Sequence, residues 1–189
     1  MKTYTDEQLV TNYLKVKGDE KSFEILIKRY LKPIYSFVYR YVGSGEEAED
    51  ITQEVFVKMW RNLKRFNKNK SFKTWIFQIA KNTSLDFLKK KKVIPFSDFE
   101  NEEGENKLIE TLVDPGPLPD EIFEIVDIAE KLNAAINQLA PQYRLVLFLR
   151  YNDHFTFREI AEILGESIDT IKTRHRRGIA ILRKLLKEK

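Results

Sequence analysis

The amino-acid sequence predicts an all-α protein of two small helical domains joined by an acidic flexible linker, the C-terminal domain a helix-turn-helix. Three observations lead there. Apolar residues recur at three- and four-residue intervals through most of residues 1–92 and again toward the C-terminus, which is the spacing of one helix face. Helix-start signals stand just ahead of these runs: Thr5 with Gln8, Asp19, Ser44 with Glu47, Thr156 with Glu159, and Ser167. Between the two regions lies a stretch, 93–120, that carries Pro95, Pro115, Pro117 and Pro119 and almost no periodic apolar positions.

In chain order, Thr5 and Gln8 open a short helix that ends near Gly18, and Asp19 caps the next. Its Phe23, Leu26, Ile27, Tyr30, Ile34, Phe37, Val38 and Tyr41 form a broad apolar stripe, broken by Gly43, Ser44 and Gly45. Ser44 and Glu47 then open a helix that buries Ala48, Ile51, Val55, Met59 and Leu63, with Phe56 and Trp60 widening the stripe. Asp50, Glu54, Val57 and Arg61 occupy its other face. A basic loop, Arg65 to Lys73, leads into a last helix from about Phe72 to Lys92 that buries Trp75, Ile76, Ile79 and Ala80.

Near the C-terminus, Thr156 and Glu159 start a short helix whose Phe157, Ile160, Ala161 and Leu164 face inward, and Gly165 supplies a left-handed turn residue. Ser167 caps a second helix at once, with Asp169 at its positive end and Ile168, Ile171, Ile179, Leu182 and Leu186 at core-facing intervals. Thr170, Lys172, Thr173, Arg174, Arg176 and Arg177 point outward, while His175 falls on the inward stripe as a structural residue. A solvated basic face is the competing reading. Cap, glycine turn, second cap and basic helix in succession favour a module whose helix enters the major groove, reads base edges and neutralises phosphates.

Composition narrows the class further. At 189 residues the chain suits two small domains, and with no cysteine and two histidines it has no disulfides, no thiolate metal site and little for zinc. Met1 to Asp6 contain no apolar signal core and no apolar run reaches membrane-spanning length, so a cytoplasmic protein without membrane insertion is expected. The net charge of +4 conceals segregation: residues 1–92 carry 20 basic and 11 acidic side chains, 93–128 carry 1 and 11, and 129–189 carry 12 and 7. Two basic blocks around an acidic one imply two nucleic-acid-facing domains and a tether that avoids nucleic acid.

The basic loop deepens that reading. Phe66, Phe72, Trp75 and Phe77 stand among Lys64, Arg65, Lys68, Lys70, Lys73 and Lys81, and stacking surfaces beside cations suit single-stranded nucleic acid. Core packing is the alternative for the aromatics, which leaves the lysines and Asn82 as the firmer candidates.

The stretch AEDITQEVFVKMW (Ala48 to Trp60), then FKTWIFQIAKN (Phe72 to Asn82), the tether, LAPQYRLVLFLRY (Leu139 to Tyr151) and the helix-turn-helix together resemble an extracytoplasmic-function sigma factor of bacterial RNA polymerase, over nearly the whole chain. The resemblance implies sigma region 2 over 1–92, a linker over 93–120 and sigma region 4 over 121–189. It implies that Asp50, Gln53, Glu54, Val57 and Arg61 grip the β′ clamp helices of core polymerase, and that the β flap is a second contact. Phe66, Lys68, Lys70, Ser71, Phe72, Lys73 and Asn82 would capture a base flipped from the melted −10 element, and the last helix would read the −35 element as duplex. A separate anti-sigma protein is an implied partner, and no cofactor, metal or catalysis is implied. The 28 positions from Val93 to Asp120 average roughly 30 Å as a random coil and reach at most about 95 Å. Promoter elements roughly 17 base pairs apart lie about 60 Å from each other, so the tether has to be drawn out on the polymerase.

Rival readings are weaker. A conventional helix-turn-helix regulator, binding duplex DNA without polymerase, leaves the basic loop and acidic tether without a use. A scaffold of two helical domains explains neither. A carboxylate metal enzyme built on Glu46, Glu47, Asp50 and Glu54 wants histidines on neighbouring helices, and the first block has none.

Overall fold

The computed structural model describes residues 4–15, 19–93 and 131–187, with the backbone alone over 91–93. Every regular element among them is helical, as the periodicity predicts. The chain divides into two compact units. Past Val93, the expected acidic tether lies outside the described residues.

The N-terminal unit contains α1 (Asp6–Lys15), α2 (Glu20–Val42), α3 (Gly45–Asn62), a single 3₁₀ turn (Leu63–Arg65) and α4 (Phe72–Val93). Each start is chemically marked. Thr5 N–H donates to Gln8 Oε1 at 2.9 Å and Gln8 N–H donates back to Thr5 Oγ1 at 3.2 Å, a reciprocal capping box. Asp19 accepts from Ser22 at the head of α2, and Gly43 ends that helix at φ 77°, its N–H on the Tyr39 carbonyl. Ser44 then accepts the Glu47 N–H at the head of α3. Pro33 sits inside α2 and cannot donate to the carbonyl one turn back. The helix continues because buried Tyr30, Ile34, Phe37 and Val38 hold it on both sides of the proline.

Packing is centred on α2, which meets α1, α3 and α4, while α3 also packs on α4. Leu26, Ile34, Phe37 and Val38 from α2, Ile51, Val55 and Met59 from α3, and Ile76, Phe77 and Ala80 from α4 are buried together with Leu9 and Val10 of α1. The Phe37 and Phe77 rings meet edge to face at 5.1 Å. Two buried hydroxyls on α4 are satisfied locally: Thr83 donates to the Ile79 carbonyl and Ser84 to the Ala80 carbonyl, both at 2.9 Å.

Two expectations are corrected here. Trp60 does not widen the buried stripe of α3: it is 54% exposed, its indole N–H donating to the Tyr13 hydroxyl at 2.9 Å. Positions 53, 57 and 60 share a helix face at three- and four-residue spacing, and all three are exposed. On α4, Trp75 and Ile79 are half-buried, because the inward side is that of Phe72, Ile76, Phe77 and Ala80.

The C-terminal unit holds helical residues 131–137 (α5), α6 (Pro141–Tyr151), α7 (Phe157–Leu164) and α8 (Ile168–Lys187). Pro141 takes the first turn of α6, where a missing N–H costs nothing. α6 packs on α8 at Gly178, where a Cβ would stand 3.3 Å from Tyr143 Cβ and 3.4 Å from Leu147 Cδ1. The turn into α7 places His154 at φ 58° and buries Phe155, whose N–H donates to the Leu149 carbonyl at 2.9 Å. Thr156 and Glu159 form the expected capping box, with bonds of 2.8 and 3.3 Å. Gly165 takes φ 69° between α7 and α8, and Ser167 Oγ accepts the Thr170 N–H at 3.1 Å. Ile168 and Leu186, expected on the inner stripe of α8, are exposed. The buried line runs through Ile171 and Gly178, and both residues fall to one side of it.

Phe37→Ala is expected to cost about 3–5 kcal/mol of stability, since the ring is fully buried against Phe77 and leaves a cavity. Chemical denaturation followed by circular dichroism checks it; a loss below about 1 kcal/mol would show that the core does not depend on this contact.

Candidate nucleic-acid interface

Three surfaces carry the residues singled out from the sequence. The first is the outer face of α3. Burial of Ala48, Ile51, Val55 and Met59 leaves Asp50, Gln53, Glu54, Val57 and Arg61 all exposed, on one arc at about 100° per residue. Acidic groups stand at the helix start and Arg61 in the last turn, each at the end of the dipole that favours it. Glu54 pairs with Lys58 one turn on, at 2.8 Å. Val57, 44% exposed, and Trp60 give the arc an apolar centre. Beside it, Gln53 and Phe56 border a groove of about 720 Å³ that also contains Leu31 and Lys32 of α2. The Thr52 hydroxyl on the wall of that groove is buried and has no hydrogen-bond partner among the described residues.

The second surface is the loop before α4. A small turn organises it: Asn67 Oδ1 accepts the Asn69 N–H at 3.0 Å and the Asn67 carbonyl accepts the Lys70 N–H at 2.9 Å. Ser71 Oγ accepts the Thr74 N–H at 3.2 Å and its carbonyl the Trp75 N–H at 3.1 Å, so Ser71 caps α4. Lys68, Lys70 and Asn82 are exposed, and Lys73 is half-buried.

Phe66 and Phe72 are a correction to the expected base-contacting set. Phe72 is 0% exposed and Phe66 is buried; with Trp75 they form a cluster of rings 5.1–5.6 Å apart. They are the floor beneath the loop and offer no free face to a base. Lys73 and Asn82 are also separated: nine residues at about 100° each set them on opposite flanks of α4. Asn82 shares its flank with Trp75 and Gln78.

The third surface is α8. Lys172, Arg176 and Arg177 are exposed along one side, with Thr173 half-buried between them. Thr170 Oγ1 lies 2.8 Å from Ser167 Oγ, within the cap. Arg174 differs from its neighbours in having a partner within the fold. It falls on the inner side near Ile171 and Gly178, and its guanidinium pairs with Glu166 at 2.8 Å, closing the turn between α7 and α8. Its charge is engaged within the fold, whereas the neighbouring Arg176 and Arg177 face outward. His175 is inward, as expected: its Nε2 lies 2.9 Å from the Tyr151 hydroxyl and its ring meets Phe157 at 5.0 Å. Burial first, then the Arg150 guanidinium, hold its pKa below the ordinary histidine value. That guanidinium lies 5.1 Å over the Phe157 ring.

Trp60 and the Glu166–Arg174 pair were missed by the sequence reading. The signal for Trp60 was its spacing from Gln53 and Val57; nothing local pointed to the ion pair, whose partners are separated by a turn.

Comparison with known proteins matches this layout. Residues 26–93 fit the Sigma-70 region 2 family and residues 128–182 fit the Sigma-70, region 4 family. These are the two modules of a sigma factor. The chain is 35% identical to the ECF RNA polymerase sigma factor SigW of Bacillus subtilis over 91% of its own length and 92% of that protein. It is 32% identical to the ECF RNA polymerase sigma-E factor of Escherichia coli over 90% of its length and 88% of that protein. It shares its fold with the sigma factor RpoE of Bartonella quintana, solved with the anti-sigma factor NepR (TM-score 0.61, 22% identity, 88% of this chain and 98% of that one). The chain belongs to the extracytoplasmic-function (ECF) RNA polymerase sigma factors, which are not an enzyme family. No described helix is long and apolar enough to cross a membrane.

Two outcomes are expected. In a double-mutant cycle, Arg174→Ala and Glu166→Ala should show a coupling of about 0.5–1 kcal/mol, while Arg176→Ala leaves stability unchanged; a cycle with zero coupling would free Arg174 for DNA. Because the folded-state pKa of His175 is lowered, its contribution is complete above about pH 6.5 and is lost as pH falls through the window beneath it. Denaturation at pH 7.5 and 5.5 should therefore show acid destabilisation that His175→Phe removes.

Proposed function

We propose that this protein is the promoter-specificity subunit of an RNA polymerase: it binds core polymerase, recognises −10 and −35 promoter elements and directs initiation. The observation that carries the reading is the presence, in one chain, of an exposed α3 face with an apolar centre and a capped recognition helix with outward Lys172, Arg176 and Arg177. A duplex reader alone has no need of the first.

In this account, Asp50, Gln53, Glu54, Val57 and Arg61 engage the β′ clamp helices, with Trp60 as an added apolar anchor of the kind that dominates interfaces. Lys68, Lys70, Ser71 and Lys73 receive the displaced −10 strand, and Asn82 contacts it farther along α4. Extracting a base costs a few kcal/mol, which stacking and edge hydrogen bonds offset. Thr170, Lys172, Thr173, Arg176 and Arg177 meet the −35 duplex, the cations displacing condensed counterions and the hydroxyls reaching base edges. Residues 1–92 and 121–189 act as the two functional domains, and the acidic tether 93–120 repels DNA and spans between promoter elements when held on the polymerase. The β flap and a separate anti-sigma protein are further partners; the protein works in the cytoplasm, without cofactor and without catalysing a reaction of its own.

Run-off transcription with core polymerase and genomic promoter fragments tests this. Starts that appear only when the protein is added are expected; duplex binding with no association to core would identify a conventional helix-turn-helix regulator instead. Arg176→Ala and Arg177→Ala should each flatten the log–log salt dependence of promoter binding by about one and leave core affinity intact. Val57→Asp should do the reverse.

A further inference from the structure

Two neighbouring carboxylates of α1 converge on one residue of the nucleic-acid loop. The Glu7 side chain accepts the backbone N–H of Phe72, 65 positions along the chain, at 3.1 Å. Phe72 is the first residue of α4, so this N–H is one of the orphan donors that every helix start exposes. Ser71 covers the Thr74 and Trp75 donors from within the loop; α1 covers the one at Phe72. A carboxylate at that point also suits the positive end of the helix dipole.

Asp6 acts on the same residue from its ring side. It accepts the Tyr30 hydroxyl and the Arg29 guanidinium, and the Tyr30 ring meets the Phe72 ring edge-on at 5.4 Å. Burial and the bond to Asp6 raise the Tyr30 pKa well above the ordinary phenol value, so the hydroxyl remains a donor. Phe66, at the other end of the loop, closes on Phe72 at 5.5 Å. Both ends of the loop are thereby referred to α1, which lies outside the Sigma-70 region 2 match beginning at residue 26.

We propose that α1 is a brace for the −10 loop, with Glu7 as a positioning residue that fixes the start of α4 so that Lys68, Lys70 and Ser71 are preorganised for the displaced strand. The proposal rests on the −10 reading given above. Between Phe66 and Phe72 the loop is held from within by its Asn67 turn and the Ser71 cap, so release of the Phe72 N–H leaves a larger part of the loop to be ordered when a base arrives. Ordering cost at that moment slows strand capture, and recruitment of core polymerase is untouched.

The test uses holoenzyme reconstituted from core polymerase and the full chain, with opening followed by fluorescence of 2-aminopurine placed in the −10 strand. Glu7→Ala is expected to open the promoter about tenfold more slowly, with affinity for core and for a −35 duplex within about twofold of wild type. Glu7→Gln retains an acceptor oxygen for the Phe72 N–H and should recover most of the rate. Equal opening by wild type and a folded Glu7→Ala would overturn the proposal, as would a loss of core affinity that accounts for the whole defect. Tyr30→Phe removes only the hydroxyl held by Asp6 and should slow opening about threefold; if Glu7→Ala does not fold, unchanged opening by Tyr30→Phe overturns the proposal in its place. A wild-type holoenzyme that binds core and −35 DNA but never opens the promoter would remove the −10 role itself, a different failure from equal rates.

Discussion

Each helix here has one face to bury, and that constraint decides what remains for binding. In the N-terminal unit, the apolar stripe of α2 is the shared partner for α1, α3 and α4. Once α3 commits Ala48, Ile51, Val55 and Met59 to that packing, the acidic start, Val57, Trp60 and Arg61 have nowhere to go but outward. The same rule on α8 turns Lys172, Arg176 and Arg177 to solvent and leaves Arg174 and His175 half-buried. A side chain's role follows from its angle to the buried stripe more than from its type.

Electrostatics is layered on this packing. Cations that stay outward and unengaged in the fold have a cloud of counterions to displace from DNA, and it is that release which gives affinity. A guanidinium paired to Glu166 has already exchanged water for a carboxylate and contributes instead to the geometry of the turn. Carboxylates are used in a parallel way. Glu159 completes a local cap, while Glu7 reaches across the fold to one, so these two carboxylates hold helix ends in place.

The parts that were legible in the sequence are those with short-range causes. Thr5 with Gln8, Thr156 with Glu159, Asp19, Ser44, Ser167, Gly43 and Gly165 act within four residues along the chain, and the structure places a cap or a left-handed turn at each. Less legible were residues at the edge of a stripe. Trp60, Ile168 and Leu186 are apolar and spaced within reach of the buried line, but hydrophobicity does not tell a side chain whether a neighbouring helix covers it. Phe66 and Phe72 were ambiguous between stacking platform and core, and the convergence of Tyr30, Phe66 and Trp75 around Phe72 resolved that toward core.

By itself, the amino-acid sequence determined the helices, their ends, the segregation of charge into two basic blocks and an acidic tether, and the motifs that carry the resemblance to sigma factors, because each depends on period, local hydrogen bonding or composition. Only the tertiary structure decided which edge residues are covered, that Arg174 serves the turn and Arg176 the surface, and that Glu7 caps a helix beginning 65 residues later. Those outcomes depend on contacts between segments distant along the chain, and such contacts exist only once the helices have packed.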